Sequence, residues 1–199
     1  MRWVTATIAL SILVAALLFL PVPWLMPIAI FVAAAALYEF YSLILPEAGA
    51  WWKLVGVVTG LIVVINSCAN QPLPGGEALA LSITLIFSVV ILMYQKLTSP
   101  AEIICRLVAG VAYIGLLFSF IPQLLYLPSG KKWVALAITG TVMMDTAAYL
   151  GGKATGRHKL IASLSPHKTS EGAIWGFAGS FAGCLLSKTL FFPDLALKH

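Results

Sequence analysis

Apolar stretches of membrane-spanning length recur along the whole chain and limit the folds open to it more than any other feature. A helix crosses a bilayer with roughly 17 to 25 apolar residues. Seven such stretches lie at about 3–20, 24–45, 51–69, 78–94, 106–125, 133–151 and 171–188. The strand-type alternation that a transmembrane barrel would show is absent. The sequence therefore predicts an all-α, polytopic transmembrane protein with about seven helices.

The composition argues against a separate soluble domain. Charged residues make up only 10% of the 199 residues, whereas a soluble domain carries roughly 25%. We therefore expect residues 1–199 to form a single integral membrane domain. Three cysteines, Cys68, Cys105 and Cys184, have no metal-binding or redox spacing and are expected to act as small apolar residues.

The net charge of +5 indicates cytoplasmic loops rather than a nucleic-acid partner, because Lys and Arg concentrate on the cytoplasmic side of membrane proteins. This rule favours a cytoplasmic N-terminus. The expected membrane is the bacterial inner (plasma) membrane. This orientation places eight cations inside: Arg2, Lys53, Lys96, Arg106, Lys153, Arg157, Lys159 and Lys168. Four remain outside: Lys131, Lys132, Lys188 and Lys198.

Two carboxylates interrupt predicted helices, Glu39 in the second and Asp145 in the sixth. A carboxylate within a membrane span is costly unless it is paired, protonated or facing water, so each is a candidate functional residue. With predicted helix ends at Leu45 and Gly151, both lie about 9 Å inside the cytoplasmic boundary. The shared depth suggests a polar crevice. The alternative is that each carboxylate reaches the interface or pairs with a loop cation.

The stretch 152–170 is the only long polar segment and is predicted to be a cytoplasmic basic loop, entered where Gly151 and Gly152 end the sixth helix. It can equally be a solvated loop or a contact for anionic lipid headgroups. The glycine spacing is similar to that of a P-loop, but Arg157 and His158 stand where Lys and Ser or Thr would be required. We therefore reject a P-loop.

The seventh helix begins directly after this segment. Thr169 or Ser170 is expected to cap it, and Lys168 beside the helix N-terminus would make a phosphate-sized anion site. Ordinary capping with a lysine at the headgroups is the alternative. The helix also carries two GxxxG steps that predict close packing against another helix. Their glycines are Gly172, Gly176, Gly179 and Gly183.

Two motifs, DTAAYLGGKATGRHKL at 145–160 and SPHKTSEG at 165–172, together resemble the phosphatidate cytidylyltransferases, also called CDP-diacylglycerol synthases. Order, spacing and residue types match over about 40 residues, and the stretch around Glu39 is more weakly similar to the family's second helix. The family's C-terminal signature is absent from the sequence. The chain therefore resembles the N-terminal two-thirds of such an enzyme, and we expect it alone to bind its substrates weakly and to form no CDP-diacylglycerol.

The resemblance implies transfer of CMP from CTP to phosphatidate with release of pyrophosphate, assisted by Mg²⁺. CTP, phosphatidate and membrane lipids are the implied partners, and a homodimer is compatible with them. Asp145 and Lys168 are the implied catalytic residues, and Asp145 and Glu39 the implied metal ligands. The implied substrate-binding residues are Lys153, Arg157, Lys159, Ser165, Thr169 and Glu171.

Two other functions stay open at this stage. One is a non-catalytic membrane subunit, or a pseudoenzyme of the same family, that has kept a phosphate-binding loop. The other is a small transporter built around Glu39 and Asp145. A transporter would favour paired broken helices and repeated halves, and the sequence shows neither.

Overall fold

The computed structural model describes residues 2–46, 49–69, 75–161 and 165–192. Within these ranges the chain forms seven long helices and one β-hairpin, which confirms the predicted all-α membrane fold. The helices are α1 (Arg2–Phe19), α2 (Val22–Ile44), α3 (Ala50–Ser67), α4 (Gly75–Leu92), α5 (Pro100–Tyr126), α6 (Gly130–Thr155) and α7 (Ser170–Phe191). Of these, α2, α3, α5, α6 and α7 are long and apolar enough to cross a membrane.

Two helix ends differ from the prediction. Helix α5 begins at Pro100 rather than near 106, because proline fits the first turn of a helix, where no N–H partner is needed. Helix α6 continues through Gly151 and Gly152 to Thr155. The expectation that these two glycines end the helix was wrong. They instead give neighbouring side chains room to approach the helix backbone.

The segment expected to be a basic loop contains regular structure. Two short strands, β1 (Lys159–Ile161) and β2 (Ser165–Thr169), pair antiparallel. Lys159 pairs with Thr169 and Ile161 with Ser165, with an irregular register between the two pairs. The stretch between α6 and α7 is therefore mostly a hairpin, which returns the chain from the end of one helix to the start of the next.

The helices group into two compact units. The first, Leu18–Pro128, contains α2 to α5. Its fully buried Tyr41 donates a hydrogen bond of 2.7 Å to the Leu107 carbonyl oxygen, and the ring leaves no room for a side chain at Gly56 or Gly110. The second unit joins Met1–Leu17 to Ser129–His199 and contains α6, the hairpin and α7.

The outward faces of the helices are strongly apolar. On α7, Ile174, Phe177 and Phe181 are 71%, 76% and 62% exposed. In the first unit, the buried hydroxyl of Ser82 instead donates to the Thr59 carbonyl oxygen at 2.9 Å. Apolar side chains outside and satisfied polar groups inside are the arrangement that lipid favours, because hydrocarbon cannot accept hydrogen bonds.

Candidate functional site

The site is built on the pair of helices α6 and α7, whose contact depends on glycine. A Cβ added at Gly176 would lie 3.0 Å from the Ala148 Cβ and 3.2 Å from the Met144 carbonyl oxygen. A Cβ at Gly179 would overlap the Ala147 Cβ, and one at Gly183 would lie 2.7 Å from the Met143 Cγ. The predicted GxxxG packing is confirmed, with α6 as the partner helix.

Glycines at the end of α6 make room for Thr169 at the end of the hairpin. A Cβ at Gly152 would lie 3.1 Å from the Thr169 Oγ1, and a Cβ at Gly156 would lie 2.8 Å from the same oxygen. Gly172 is equally close, since its added Cβ would lie 3.0 Å from this oxygen. Three glycines therefore pack around one threonine.

Thr169, one of the two predicted capping candidates, caps α7. Its Oγ1 accepts a hydrogen bond of 3.1 Å from the Gly172 N–H, and its backbone is extended, as is usual for an N-cap residue. The Ser170 N–H donates to the His158 carbonyl oxygen at 3.0 Å. Two amides at the start of α7 thus have partners within the protein, so an anion bound there would depend more on nearby cations than on these amides.

Glu171 is bound by His158 of the segment before the hairpin. Its carboxylate oxygens lie 3.3 Å and 3.2 Å from the His158 backbone nitrogen. The ring Nδ1 of the same histidine lies 2.6 Å from the Glu171 Oε1. An ionised carboxylate only accepts hydrogen bonds, so the imidazole donates here. Glu171, which the resemblance implied to bind substrate, therefore has an intramolecular partner for each oxygen.

A second side-chain bond links α7 to the end of α6. The Trp175 Nε1–H donates to the Thr155 Oγ1 at 3.1 Å, and this hydroxyl donates to the Gly151 carbonyl oxygen at 2.8 Å. The Trp175 ring also covers Gly151, where an added Cβ would overlap it. Glycine at 151 is therefore needed for the tryptophan to reach Thr155.

Four cations surround this framework, and all four side chains are exposed: Lys153, Arg157, Lys159 and Lys168. Lys153 lies in the last turn of α6, where the helix dipole favours a positive charge. Lys159 pairs with Thr169, which Lys168 directly precedes. Because side chains alternate along a strand, Lys159 and Lys168 lie on opposite faces of the hairpin. Ser165 is half-buried at the other end of the hairpin, opposite Ile161.

The implied metal ligands lie on separate units. Glu39 is exposed on α2 of the first unit, and Asp145 is exposed on α6 of the second. Asp145 precedes the last residue of α6 by ten residues, or roughly 15 Å, whereas Glu39 precedes the end of α2 by five, or roughly 8 Å. The expectation of equal depths assumed a helix end at Gly151, and α6 continues past that residue.

Asp145 and Tyr149 share a face of α6 other than the one that packs on α7. The residues that meet the α7 glycines are instead Met143, Met144, Ala147 and Ala148. Within the part of the chain that the structure describes, no three His, Cys, Asp or Glu side chains form a group that could hold a metal. Mg²⁺ is often held by one or two carboxylates together with substrate phosphates, and exposed Asp145 fits that pattern.

His158, Thr155 and Trp175 are the residues of this site whose bonds were not foreseen. His158 was expected only as part of the basic segment, and no role was expected of Thr155 or Trp175. Their bonds join residues 13 and 20 positions apart, so helical periodicity does not place them together. No local signal identifies them, because the contacts exist only once the hairpin has folded back.

The sequence matches a known protein family along nearly the whole chain. The sequence profile described as the cytidylyltransferase family matches residues 1–196. The chain belongs to the cytidylyltransferase family. The family prediction made from the motifs at 145–172 is thereby confirmed.

Relatives of this cytidylyltransferase-family chain carry the name phosphatidate cytidylyltransferase. That of Staphylococcus aureus (strain COL) is 28% identical over 177 residues, covering 84% of this chain and 65% of the relative. That of Staphylococcus epidermidis (strain ATCC 12228) is 25% identical over 199 residues, covering 95% and 73%. Phosphatidate cytidylyltransferase 5, chloroplastic, of Arabidopsis thaliana is 48% identical over 66 residues, covering 33% and 16%.

The chain thus spans less than two thirds of the length of the Arabidopsis and Staphylococcus aureus relatives. No solved structure matches it.

Proposed function

We propose that this chain provides phosphate-binding groups for the transfer of CMP from CTP to phosphatidate, giving CDP-diacylglycerol and pyrophosphate. The observation that carries the proposal is the cluster of four exposed cations on the α6–hairpin–α7 framework. The curated relatives, named for the same reaction, support it. Both substrates are polyanions, so their reaction requires positive charge that offsets their repulsion.

The reaction needs no nucleophile from the protein. A phosphate oxygen of phosphatidate attacks the α-phosphorus of CTP and forms a new P–O bond. The bond from the α-phosphorus to the oxygen that bridges to the β-phosphate breaks, and pyrophosphate leaves with the electron pair. The protein therefore has to bind, align and neutralise the two reactants.

The four cations have different parts in this proposal. The Arg157 guanidinium can bind two phosphate oxygens at once, because its N–H groups form a planar fork. Lys168 and Lys159, on opposite faces of the hairpin end next to α7, act as compact charges for the polyanionic substrates. Lys153 extends the positive surface along the end of α6. The Thr169 hydroxyl accepts from Gly172 and keeps its own proton to donate to a phosphate oxygen.

Asp145 would be the carboxylate that holds Mg²⁺ in the second unit. The ion, when bound, neutralises phosphate charge and orients the phosphoryl oxygens. Asp145 contributes a negative oxygen on α6, and substrate phosphates complete the coordination.

The decisive experiment supplies the purified chain in detergent with labelled CTP, phosphatidate and Mg²⁺, and measures CTP binding and lipid-linked CMP. We expect Mg²⁺-dependent CTP binding. Asp145→Asn should shift the Mg²⁺ dependence of that binding to higher concentration, because a neutral amide is a weaker Mg²⁺ ligand. Glu77→Gln, at an exposed carboxylate of the first unit, is the control. An unchanged Mg²⁺ dependence in Asp145→Asn would show that Asp145 is not a Mg²⁺ ligand.

The cationic cluster should face the cytoplasm, where CTP is made, in a bacterial plasma membrane. In a cysteine-free background, Ala154→Cys at the exposed end of α6 should react with a membrane-impermeant maleimide only in inverted vesicles. Ser129→Cys, which precedes the other end of the 26-residue helix, should react only in intact cells. The helix is roughly 39 Å long, enough to separate the two ends across a bilayer. The reverse labelling pattern would contradict a cytoplasmic CTP site.

A further inference from the structure

We infer that Glu171 and Trp175 are positioning residues that hold the short turn carrying Arg157 in place for phosphate binding. This inference rests on the proposed function, because it assigns Arg157 to a phosphate. It gives Glu171 an indirect role instead of contact with substrate, and it gives Trp175 a role that its sequence position does not indicate.

The first connection ties His158 to the start of α7 through both of its backbone groups. The His158 N–H donates to the Glu171 carboxylate, and the His158 carbonyl oxygen accepts from the Ser170 N–H at 3.0 Å. The imidazole adds a third bond to Glu171 at 2.6 Å. A residue bonded through its N–H, its carbonyl and its side chain has little freedom left, so the chain direction at His158 is determined by α7.

The second connection ties Thr155 to α7 one turn further along the helix. Trp175 follows Glu171 by four residues, which places both on the same face of α7. Its Nε1–H donates to the Thr155 hydroxyl, which also bonds within α6. Thr155 is the last residue of α6, so this bond holds the end of the helix against α7.

Only Gly156 and Arg157 lie between the two tied residues. The backbone of Gly156 is itself held, because its N–H donates to the Gly152 carbonyl oxygen at 3.0 Å. Arg157 is therefore presented from a turn fixed on both sides. A guanidinium already placed for binding gives up less conformational freedom when a phosphate arrives, which raises affinity without any added contact.

The exposed fractions of Glu171 and His158 favour a positioning role for Glu171 over direct binding of substrate. The Glu171 side chain is 23% exposed, whereas that of His158 is 80% exposed. The carboxylate is thus largely covered, and both of its oxygens lie within hydrogen-bond distance of His158.

The test is a double-mutant cycle on CTP affinity, measured with Mg²⁺ on the full 199-residue chain in detergent. Glu171→Gln and Trp175→Phe should each weaken CTP binding about three- to tenfold, the range expected for losing one or two hydrogen bonds that orient a ligand group. Arg157→Ala should weaken binding at least as much. The double variant Glu171→Gln/Arg157→Ala should bind no more weakly than Arg157→Ala alone, since Glu171 acts through Arg157.

Glu102→Gln is the matched control, because Glu102 also pairs with a side chain, Arg106, but in the first unit. It should leave CTP affinity unchanged. Trp175→Phe keeps an aromatic ring at this position but loses the N–H donor and part of the ring area, and it tests the inference even if Glu171→Gln fails to fold. Nitrogen-15 shifts of the His158 ring, read by NMR, give a readout that needs no nucleotide. These chemical shifts should change in Glu171→Gln and remain at their wild-type values in Glu102→Gln.

The outcomes separate this inference from the proposed function. Additive losses in the double variant would overturn positioning and assign Glu171 its own contact with nucleotide or metal. A loss in Arg157→Ala with none in Glu171→Gln and Trp175→Phe would also overturn it, while the proposed function stands. Wild-type affinity in Arg157→Ala would contradict the phosphate role itself. Unmoved His158 ring shifts in Glu171→Gln would show that the pair does not form, and would overturn the inference on structural grounds.

Discussion

Lys168→Ala is expected to weaken CTP binding, and any CMP transfer, by at least about tenfold. One charge-assisted hydrogen bond contributes roughly 1.5 to 3 kcal/mol, which corresponds to about 10- to 150-fold in affinity. Lys168 is exposed directly before the N-cap Thr169, at the start of a helix whose dipole adds to its positive charge. The loss should shrink as salt is added, because ions screen exposed charges.

Lys188→Ala is the control for this measurement. Lys188 lies in the last turn of the same helix, 20 residues and roughly 30 Å from Lys168. Equal losses in the two variants would mean that overall charge, and not a local contact, controls CTP binding. Wild-type CTP affinity in Lys168→Ala would show that Lys168 does not bind CTP and is an ordinary lysine at the lipid headgroups.

Gly179→Ala should destabilise the α6–α7 pair by about 1 to 3 kcal/mol, the usual cost of inserting a methyl group into a closely packed contact. The added Cβ would overlap the Ala147 Cβ and lie 2.8 Å from the Met143 carbonyl oxygen, a backbone atom that cannot rotate away. The helices would have to move apart. Thermal unfolding in detergent, followed by circular dichroism, measures the loss.

Two further variants make this prediction specific. Gly76→Ala places a Cβ where nothing lies within 4 Å, so the same substitution should there leave stability unchanged or raise it slightly. Ala147→Gly in the Gly179→Ala background removes the overlapping methyl group and should recover part of the loss. A Gly179→Ala protein as stable as wild type would show that the two helices do not depend on this contact.

The membrane class, the number of helices and the family could all be predicted from the sequence, because each depends on local pattern. Hydropathy over a window of about 20 residues decides whether a segment can cross lipid, whatever the rest of the chain does. The motifs at 145–172 are contiguous, so their resemblance to a family needs no fold. A cap at Thr169 or Ser170 followed from their position before an apolar helix, and the structure selects Thr169.

Whether the predicted role of a glycine was right depended on which side chain of the neighbouring element packs against it. The steps from Gly172 to Gly183 have helical spacing, so their packing role was visible in the sequence, although the partner helix was not. Gly151 and Gly152 were expected to end α6, since paired glycines usually weaken a helix. The helix instead continues, because Trp175 and Thr169 fill the space beside these two glycines.

What the sequence alone determined is that this chain is an integral membrane protein and which family its basic segment resembles, since hydropathy and motif order are properties of neighbouring residues. The tertiary structure alone decided what each polar group of the site bonds to. The hairpin folds back so that His158 meets Glu171, 13 residues away, and Thr155 meets Trp175, 20 residues away. A hydrogen bond depends on distance and direction in space, and no spacing along the chain specifies these until the hairpin and both helices are in place.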